Sequence, residues 1–390
     1  MKVGIIGSGG REHALCYALK KSNKIKEIFC FPGNAGTSKI AKNIKLDVNN
    51  FESLNDFIKK NNLDIIIVGP EQPLVDGIVD FLDKEKIKVF GPNKFASQLE
   101  GSKIFTKKIC KKYNIPTADF GVYDDSVSSI RFLDKCKFPV VIKADGLAAG
   151  KGVYICENYD EAKKAISDIF SGKFGSKNVV LIEEFLQGEE MSFFIISDGI
   201  SYKTFGSAQD HKRVYEGDKG PNTGGMGAYS PSRLECDELN EKILKRIIHP
   251  TLKALNDQNC FYKGFLYAGL MIIKNEPYLI EYNVRMGDPE CQTILPRLKT
   301  DFFEIIEAVI NQKLNSQSID WYDDKSICIV LCSKGYPEKY ENNSEIKNLD
   351  KIKLDEKNFL FHAGTKNENS KIFSNGGRVL NFVSISKSFK

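Results

Sequence analysis

Residues 139–153 read PVVIKADGLAAGKGV, and the fold turns on how this stretch is taken. Val140 to Ile142 is a short apolar run of the kind that forms a buried strand. Lys143 closes the run, a loop of small residues follows from Gly146 through Gly150 and Lys151 to Gly152, and Val153-Tyr154-Ile155 predicts a returning strand. Glycines let backbone N–H groups approach an anion, and the lysines at 143 and 151 add charge, so the segment can cradle phosphate. A hairpin with a plain surface turn satisfies the same pattern, and both readings stand on these residues alone. The P-loop does not. G-x-x-x-x-G-K-[ST] needs glycine at 145 and Ser or Thr at 152, where the chain has Asp145 and Gly152. A nucleotide here is expected between antiparallel strands, not on a helix N-terminus.

Working outward, 390 residues suit two to three domains of about 150 residues each. The apolar and charged fractions, 42% and 27%, are those of a globular protein with several cores. No apolar run reaches the roughly 18 residues of a membrane helix. The opening Met1-Lys2-Val3-Gly4-Ile5-Ile6-Gly7 reads as a strand entering a glycine turn and not as a signal peptide, so a cytoplasmic location is expected. The net charge of +5 is small, and the lysines are dispersed, which argues against nucleic acid as a partner. None of the ten cysteines forms C-x-x-C, and the histidines at 13, 211, 249 and 362 are scattered, so no zinc site is visible.

Residues 1 to about 101 alternate strand and helix. Strands are expected at Lys2–Ile6, Glu27–Phe31, Asp64–Val68 and Lys88–Phe90, with helices at Glu12–Lys21 and Phe51–Asn61 between them. This is a parallel, Rossmann-like βαβ sheet. The first turn, Gly7-Ser8-Gly9-Gly10-Arg11-Glu12, approaches the dinucleotide fingerprint, but Glu12 replaces the third glycine and Cys30-Phe31-Pro32-Gly33 stands where the ribose-binding acid belongs. A nicotinamide-dependent oxidoreductase is disfavoured on both counts. Glycine N–H groups with Arg11 beside them suit a monophosphate instead. Ligands of open α/β sheets sit at the carboxyl edge of the strands. Three turns at that edge therefore supply candidate substrate residues: Gly9, Gly10 and Arg11; Asn34, Gly36 and Thr37; Pro70 and Glu71.

Gly101-Ser102-Lys103 leads into a helix, Ile104–Tyr113, and a small α+β unit containing the opening stretch follows. It ends near the strand Val179–Ile182 and the segment EEFLQGEE at 183–190. The run GPNTGGMGAY at 220–229 is too polar and glycine-rich to pack a core, so it is expected to be a mobile loop or a ligand clamp, with Asn222, Gly224, Gly225 and Met226 as candidates. One helix is expected from Asp237 to Asn256, then a hairpin of Leu266–Ile273 and Tyr278–Asn283. Glu281 and Asn283 are two apart on a strand and share a face. A carboxylate and an amide oxygen side by side suit Mg²⁺, which takes hard oxygen ligands. Arg285 keeps the same parity and would bring positive charge to phosphates. From about residue 316 a small β-rich terminal domain is expected, with strands at Ile327–Cys332, Phe359–Ala363 and Arg378–Val383.

Taken in order, GSGGREHA at 7–14, PGNAGT at 32–37, GPE at 69–71, IKADGLAAGKGV at 142–153, EEFLQGEE at 183–190, DHKRV at 210–214, GPNTGGMGAYSP at 220–231 and EYNVRMGDPECQT at 281–293 form one set. With FHAGT and GGRVL near the C-terminus, this set resembles the glycinamide ribonucleotide synthetase (phosphoribosylamine–glycine ligase) family of the ATP-grasp superfamily over nearly the whole chain. The departures are Lys334, where the family usually has a glycine, and an altered linker at 174–177. The resemblance implies a multidomain α/β and α+β protein: a substrate domain at 1–101, an ATP-grasp domain at 102–315 with a mobile lid at about 116–182, and a C-terminal domain at 316–390. It implies ATP as co-substrate, Mg²⁺ (with Mn²⁺ able to substitute) on Glu281 and Asn283, and glycine and 5-phosphoribosylamine as partners of a monomer. By the same resemblance Lys103, Lys143 and the loop Gly146–Gly152 meet ATP phosphates, Glu184 and Leu186 meet adenine through backbone groups, and Glu190 holds the ribose. Lys143, Arg285 and Asp288 are the catalytic candidates; no residue is required to act as a general base, and Asp288 and Glu290 are the candidates for one. A different ATP-grasp carboxylate–amine ligase and a non-catalytic nucleotide sensor are the rivals; the segment 220–231 argues against the first, and the intact Glu281, Asn283 and lysines against the second.

Overall fold

The computed structural model describes residues 1–147, 152–173, 179–217 and 219–389, so Gly150, Lys151 and the altered linker at 174–177 lie outside the described residues. Strands β1 (Lys2–Gly7), β2 (Glu27–Pro32), β3 (Lys42–Asn43), β4 (Ile65–Val68) and β5 (Lys88–Phe90) form a sheet in the order β3-β2-β1-β4-β5. Every pair in it is parallel, as strand–helix alternation requires. A parallel sheet is covered on both faces, which is why its strands read as unbroken apolar runs. On β1 the two-residue period sends Val3 and Ile5 into one core and Ile6 into the other.

A second sheet stands apart. β6 (Phe120–Tyr123), β7 (Val140–Ala144), β8 (Val153–Cys156) and β9 (Val180–Glu184) pair antiparallel in the order β6-β9-β7-β8. With the helices Ser126–Leu133 and Tyr159–Phe170 it buries a core of its own around Ile142, Ile166 and Val180. Strand β7 runs past its apolar stretch, so Lys143 lies inside it, opposite Val153 on β8 and Leu181 on β9.

The remaining strands are β10 (Glu189–Asp198), β11 (Tyr202–Asp210), β12 (Arg213–Tyr215), β13 (Lys219–Asn222), β14 (Gly227–Ser230), β15 (Lys263–Ile273), β16 (Glu276–Asn283), β17 (Lys325–Cys332), β18 (Glu345–Ile346), β19 (Asn358–His362), β20 (Thr365–Glu368), β21 (Lys371–Ser374) and β22 (Arg378–Ser386). Eight of them make the central sheet, in the order β16-β15-β10-β11-β14-β17-β22-β19. Two expectations change here. The segment 220–229 is not a single loop: its start pairs with β12 as β13, and its end is β14, which joins β11 to β17. Main-chain pairing does not depend on side-chain polarity, so a glycine-rich strand can hold the middle of a sheet. The terminal strands β17, β22 and β19 continue that sheet, and Cys328, Phe361 and Val383 share a core with Ile5 and Phe194. The expected helix over 237–256 contains a π turn at Leu244–Ile248 just before Pro250, whose missing N–H would break an α ladder.

The N-terminal and C-terminal parts meet at two buried histidines. His362 N donates to His13 Nδ1 at 2.8 Å, joining the helix α1 (Gly10–Lys20) to β19. Burial holds His13 down at about 3, helped by His362 and Lys39, and burial and Lys39 hold His362 at about 4. An unfolded histidine titrates near 6.5. Between these values the unfolded chain binds more protons, so this contribution to stability falls as pH falls. The urea midpoint is expected to drop between pH 7 and pH 5, and His13→Gln is expected to flatten that drop. An equal drop in the variant would remove the pair from acid stability.

Candidate active site

The parts meet at a cavity of about 360 Å³ lined by Arg11 and Glu71 from the helices that follow β1 and β4, Lys143 from β7, Glu281 and Asn283 from β16, and Arg378 from β22. One end is built of lysines. Ser102 caps the helix Lys103–Tyr113 by accepting from Phe105 N, which sets Lys103 and Lys107 one turn apart. Lys103 Nζ donates to Gly146 O at 2.8 Å, so the described start of the glycine loop is held at this end. Lys143 and Lys107 grip opposite oxygens of Glu183, at 3.0 and 3.3 Å. Burial lowers the affinity of Lys103 and of Lys107 for their protons, with nearby Lys143 acting the same way and Glu281 and Glu183 opposing it.

Glu281 and Asn283 face this end from β16, opposite Gly269 and Tyr267 of β15. Among the described residues no hydrogen bond or ion pair engages either side chain. Their oxygens are unengaged and turned to the cavity, which is what a hard cation shared with phosphate requires. No group of three or more His, Cys, Asp or Glu side chains that could hold a metal occurs among the described residues, so remaining ligands would come from substrate and water. Beside them Lys212 pairs with Glu190 at 2.8 Å, and Lys212 holds the Glu190 carboxyl below its usual range. Asp210 is pushed up to about 7 by burial and by Glu290, Glu190 and Glu281, against the pull of Lys212.

The other end is built of arginines, which line the cavity but have carboxylate partners that the sequence did not reveal. Arg285 was expected to present its charge to phosphates. Instead its Nε donates to Glu71 at 3.1 Å and NH2 to Glu100 at 2.7 Å, with NH1 on Met286 O at 3.4 Å. The turn at Gly9, Gly10 and Arg11 was expected to seat a phosphate. It closes on its own Glu12, whose Oε2 accepts from Gly9 N at 2.6 Å and whose Oε1 accepts from Arg11 Nε. Gly7, at φ +122°, is needed there because a Cβ would lie 2.6 Å from the Glu12 side chain. The same packing explains why Glu12 stands in place of the third fingerprint glycine. Asp288 Oδ2 sits on Arg11 N at 3.4 Å, at the mouth of α1. Burial would raise Asp288, but Arg378, Arg11 and the Gln292 amide hold it below its usual range, which makes it a poor general base.

Asn34, Gly36 and Thr37 do not line the cavity. Asn34 donates to Ser8 O and His362 O and accepts from Gly36 N and Thr37 N, so its amide stitches the β2 turn to β19. Nor do Pro70, Gly225 and Met226 line it, while Asn222 and Gly224 do. Gly146 and Glu190 line it; Gly152, Glu184 and Leu186 do not. Glu184 instead accepts from Asp119 N at 3.0 Å, and Gly152 O accepts from Ala144 N at 2.9 Å. The residues missed were Lys107, Glu183, Asp210, Lys212, Glu100 and Arg378, all of which line the cavity. Lys107 had a legible signal, lying one helical turn after Lys103; Arg378 had none beyond its place in GGRVL.

Comparison with known proteins agrees with this architecture. Family models match in sequence order: the phosphoribosylglycinamide synthetase N domain at 1–100, its ATP-grasp (A) domain at 101–291 and its C domain at 326–390. The phosphoribosylamine–glycine ligase of Caldanaerobacter subterraneus subsp. tengcongensis is 45% identical, covering 100% of this chain and 93% of that protein. That of Clostridium acetobutylicum is 46% identical, covering 97% and 91%. The crystal structure of the Thermotoga maritima phosphoribosylamine–glycine ligase superposes with a TM-score of 0.86 at 33% identity, covering 100% of this chain and 93% of that one. A biotin carboxylase from Campylobacter jejuni, at 16% identity and a TM-score of 0.76 over 99% of this chain and 87% of its own, shares the fold alone. With its parallel N-terminal sheet, its separate four-stranded sheet and a central sheet that runs into the C-terminal strands, the chain has the ATP-grasp fold and belongs to the phosphoribosylglycinamide synthetase family.

Proposed function

We propose that this chain joins glycine to 5-phosphoribosylamine at the expense of ATP, forming glycinamide ribonucleotide, ADP and phosphate in purine biosynthesis. A carboxylate does not acylate an amine at neutral pH, because oxide would have to leave. In the proposed course a glycine carboxylate oxygen attacks the γ-phosphorus, ADP leaves, and glycyl phosphate forms. The 1-amino group of phosphoribosylamine then attacks the glycyl carbonyl carbon, the amine loses a proton, and phosphate leaves. The observation that carries this reading is the unengaged Glu281–Asn283 pair facing Lys103 and Lys143 in one cavity.

The first step gathers anions, so its demand is electrostatic. Lys103 and Lys143 supply fixed cations at the phosphate end, and Glu183 keeps the Lys143 ammonium in place. Glu281 and Asn283 would hold Mg²⁺, or Mn²⁺ in its stead, which when bound neutralises phosphate charge. Glycyl phosphate is open to water, so the second sheet, which has a core of its own, serves as the lid over residues 116–182. Boundaries at 101 and 315 divide the chain around that lid, and the reading takes the protein as a cytoplasmic monomer acting on small molecules. Among the described residues no helix is long and apolar enough to cross a membrane.

ADP release with Mg-ATP is expected to require both glycine and phosphoribosylamine, the latter formed in solution from ribose 5-phosphate and ammonia. Release with glycine alone would indicate leakage of the acyl phosphate. No release from folded, ATP-binding protein would overturn the reaction.

A further inference from the structure

We infer that Arg378, together with the side-chain amide of Asn222, binds the 5-phosphate of phosphoribosylamine. This rests on the reaction proposed above. That substrate carries a phosphate of its own, so the cavity needs a second anion seat besides the lysines that meet ATP. The cavity holds three guanidinium groups. Arg285 has all three nitrogens engaged by Glu71, Glu100 and Met286 O. Arg11 is buried against Glu12 and Met286 O. Arg378 differs. Its NH1 donates to Gly224 O and to Asp288 O, both at 2.5 Å, and lies 3.5 Å from Asp288 Oδ1. Among the described residues no hydrogen bond engages its Nε or NH2.

The group is also held on one side by backbone. It lies against Gly224, where a Cβ would approach Cζ to 2.9 Å and push the guanidinium from this position. A fixed guanidinium with an unengaged N–H edge matches two phosphate oxygens, which an ammonium cannot do. Asn222, at the end of β13, lines the same cavity, and no hydrogen bond engages its amide among the described residues. Among the described residues no hydrogen bond or ion pair joins either to the Lys103–Lys143–Glu183 group, which leaves ATP and the sugar phosphate separate seats. The continuation of the central sheet into β22 gives the C-terminal strands a part in the reaction, since it delivers Arg378 to the cavity.

The test is a cycle of substrate and variant. Wild type, Arg378→Lys and Asn222→Ala are assayed with amine formed from ribose 5-phosphate and from unphosphorylated ribose, each with ammonia. In kcat/KM, Arg378→Lys is expected to reduce the preference for the phosphorylated amine by about 10- to 100-fold. Asn222→Ala, at an exposed position, is expected to reduce it by about 2- to 10-fold, with KM for ATP unchanged in both. Loss of activity toward both amines in equal measure would make Arg378 structural and overturn the assignment, as would an unchanged preference in Asn222→Ala. A wild type that shows no dependence on either amine would instead sink the ligase reaction itself, so the two failures are distinct.

Discussion

Glu281→Gln is expected to reduce turnover by about a thousandfold while leaving the fold intact. The side chain is half-buried on β16, has no hydrogen-bond or ion-pair partner among the described residues, and stands opposite Gly269, so an isosteric amide leaves the packing unchanged. What is lost is one anionic oxygen ligand. A bound cation contributes on the order of 4 kcal/mol to stabilising charge at a transferring phosphoryl group, and about 1.4 kcal/mol corresponds to a tenfold rate. Lys103 and Lys143 remain, so ATP still binds, but binding no longer tightens when Mg²⁺ is added. Calorimetric titration with ATP in the presence and absence of Mg²⁺, beside a thermal melt, separates this from unfolding. Near-normal turnover, or binding that still responds to Mg²⁺, would take Glu281 out of the metal site.

The residues whose placement was legible in the sequence and those whose placement was not differ in physical kind. Glu281 and Asn283 were legible because strand parity is local: two positions apart means one face, whatever the rest of the chain does. The parallel sheet was legible for the same reason, since each buried strand declares itself in a few residues. Arg285, by parity alone, belongs with the metal pair, yet its charge is taken up by a carboxylate 185 residues away, and Lys143 meets Glu183 across 40 residues. No periodicity encodes such partners. The glycine turns carry a related ambiguity. A turn that can wrap an anion can equally wrap the protein's own carboxylate, and Glu12 and Asp288 fill the mouth of α1. Asn34 looks like a ligand residue in PGNAGT, but every polar atom of its amide is engaged by backbone groups, two of its partners from the far ends of the chain.

Arg285→Met is expected to destabilise the fold by about 3 kcal/mol, because it leaves two carboxylates without their cation. The low end of the range applies, since the Glu71 side chain is 29% exposed, whereas that of Glu100 is only 8% exposed. The two carboxylates respond to pH in opposite senses. Arg285 is the main reason that Glu71 is held at about 2, so Glu71 contributes stability that is full above its unfolded value and is lost as pH falls from there to about 2. Glu100 is pushed up to about 7 by burial, against the pull of Arg285. Its native form binds more protons than its unfolded form between about 4.3 and 7, so stability declines as pH rises through that window. Without Arg285 the Glu100 carboxyl rises further and the window extends upward. The deficit of the variant relative to wild type is therefore expected to grow from pH 6 to pH 8. Adding Glu100→Gln to Arg285→Met is expected to recover part of the loss and flatten its pH dependence. Urea unfolding of the three proteins at both pH values decides the matter. If Arg285→Met unfolds like wild type and instead raises KM for ATP, the guanidinium charge reaches the phosphates after all, and the ion network beneath the cavity contributes no stability.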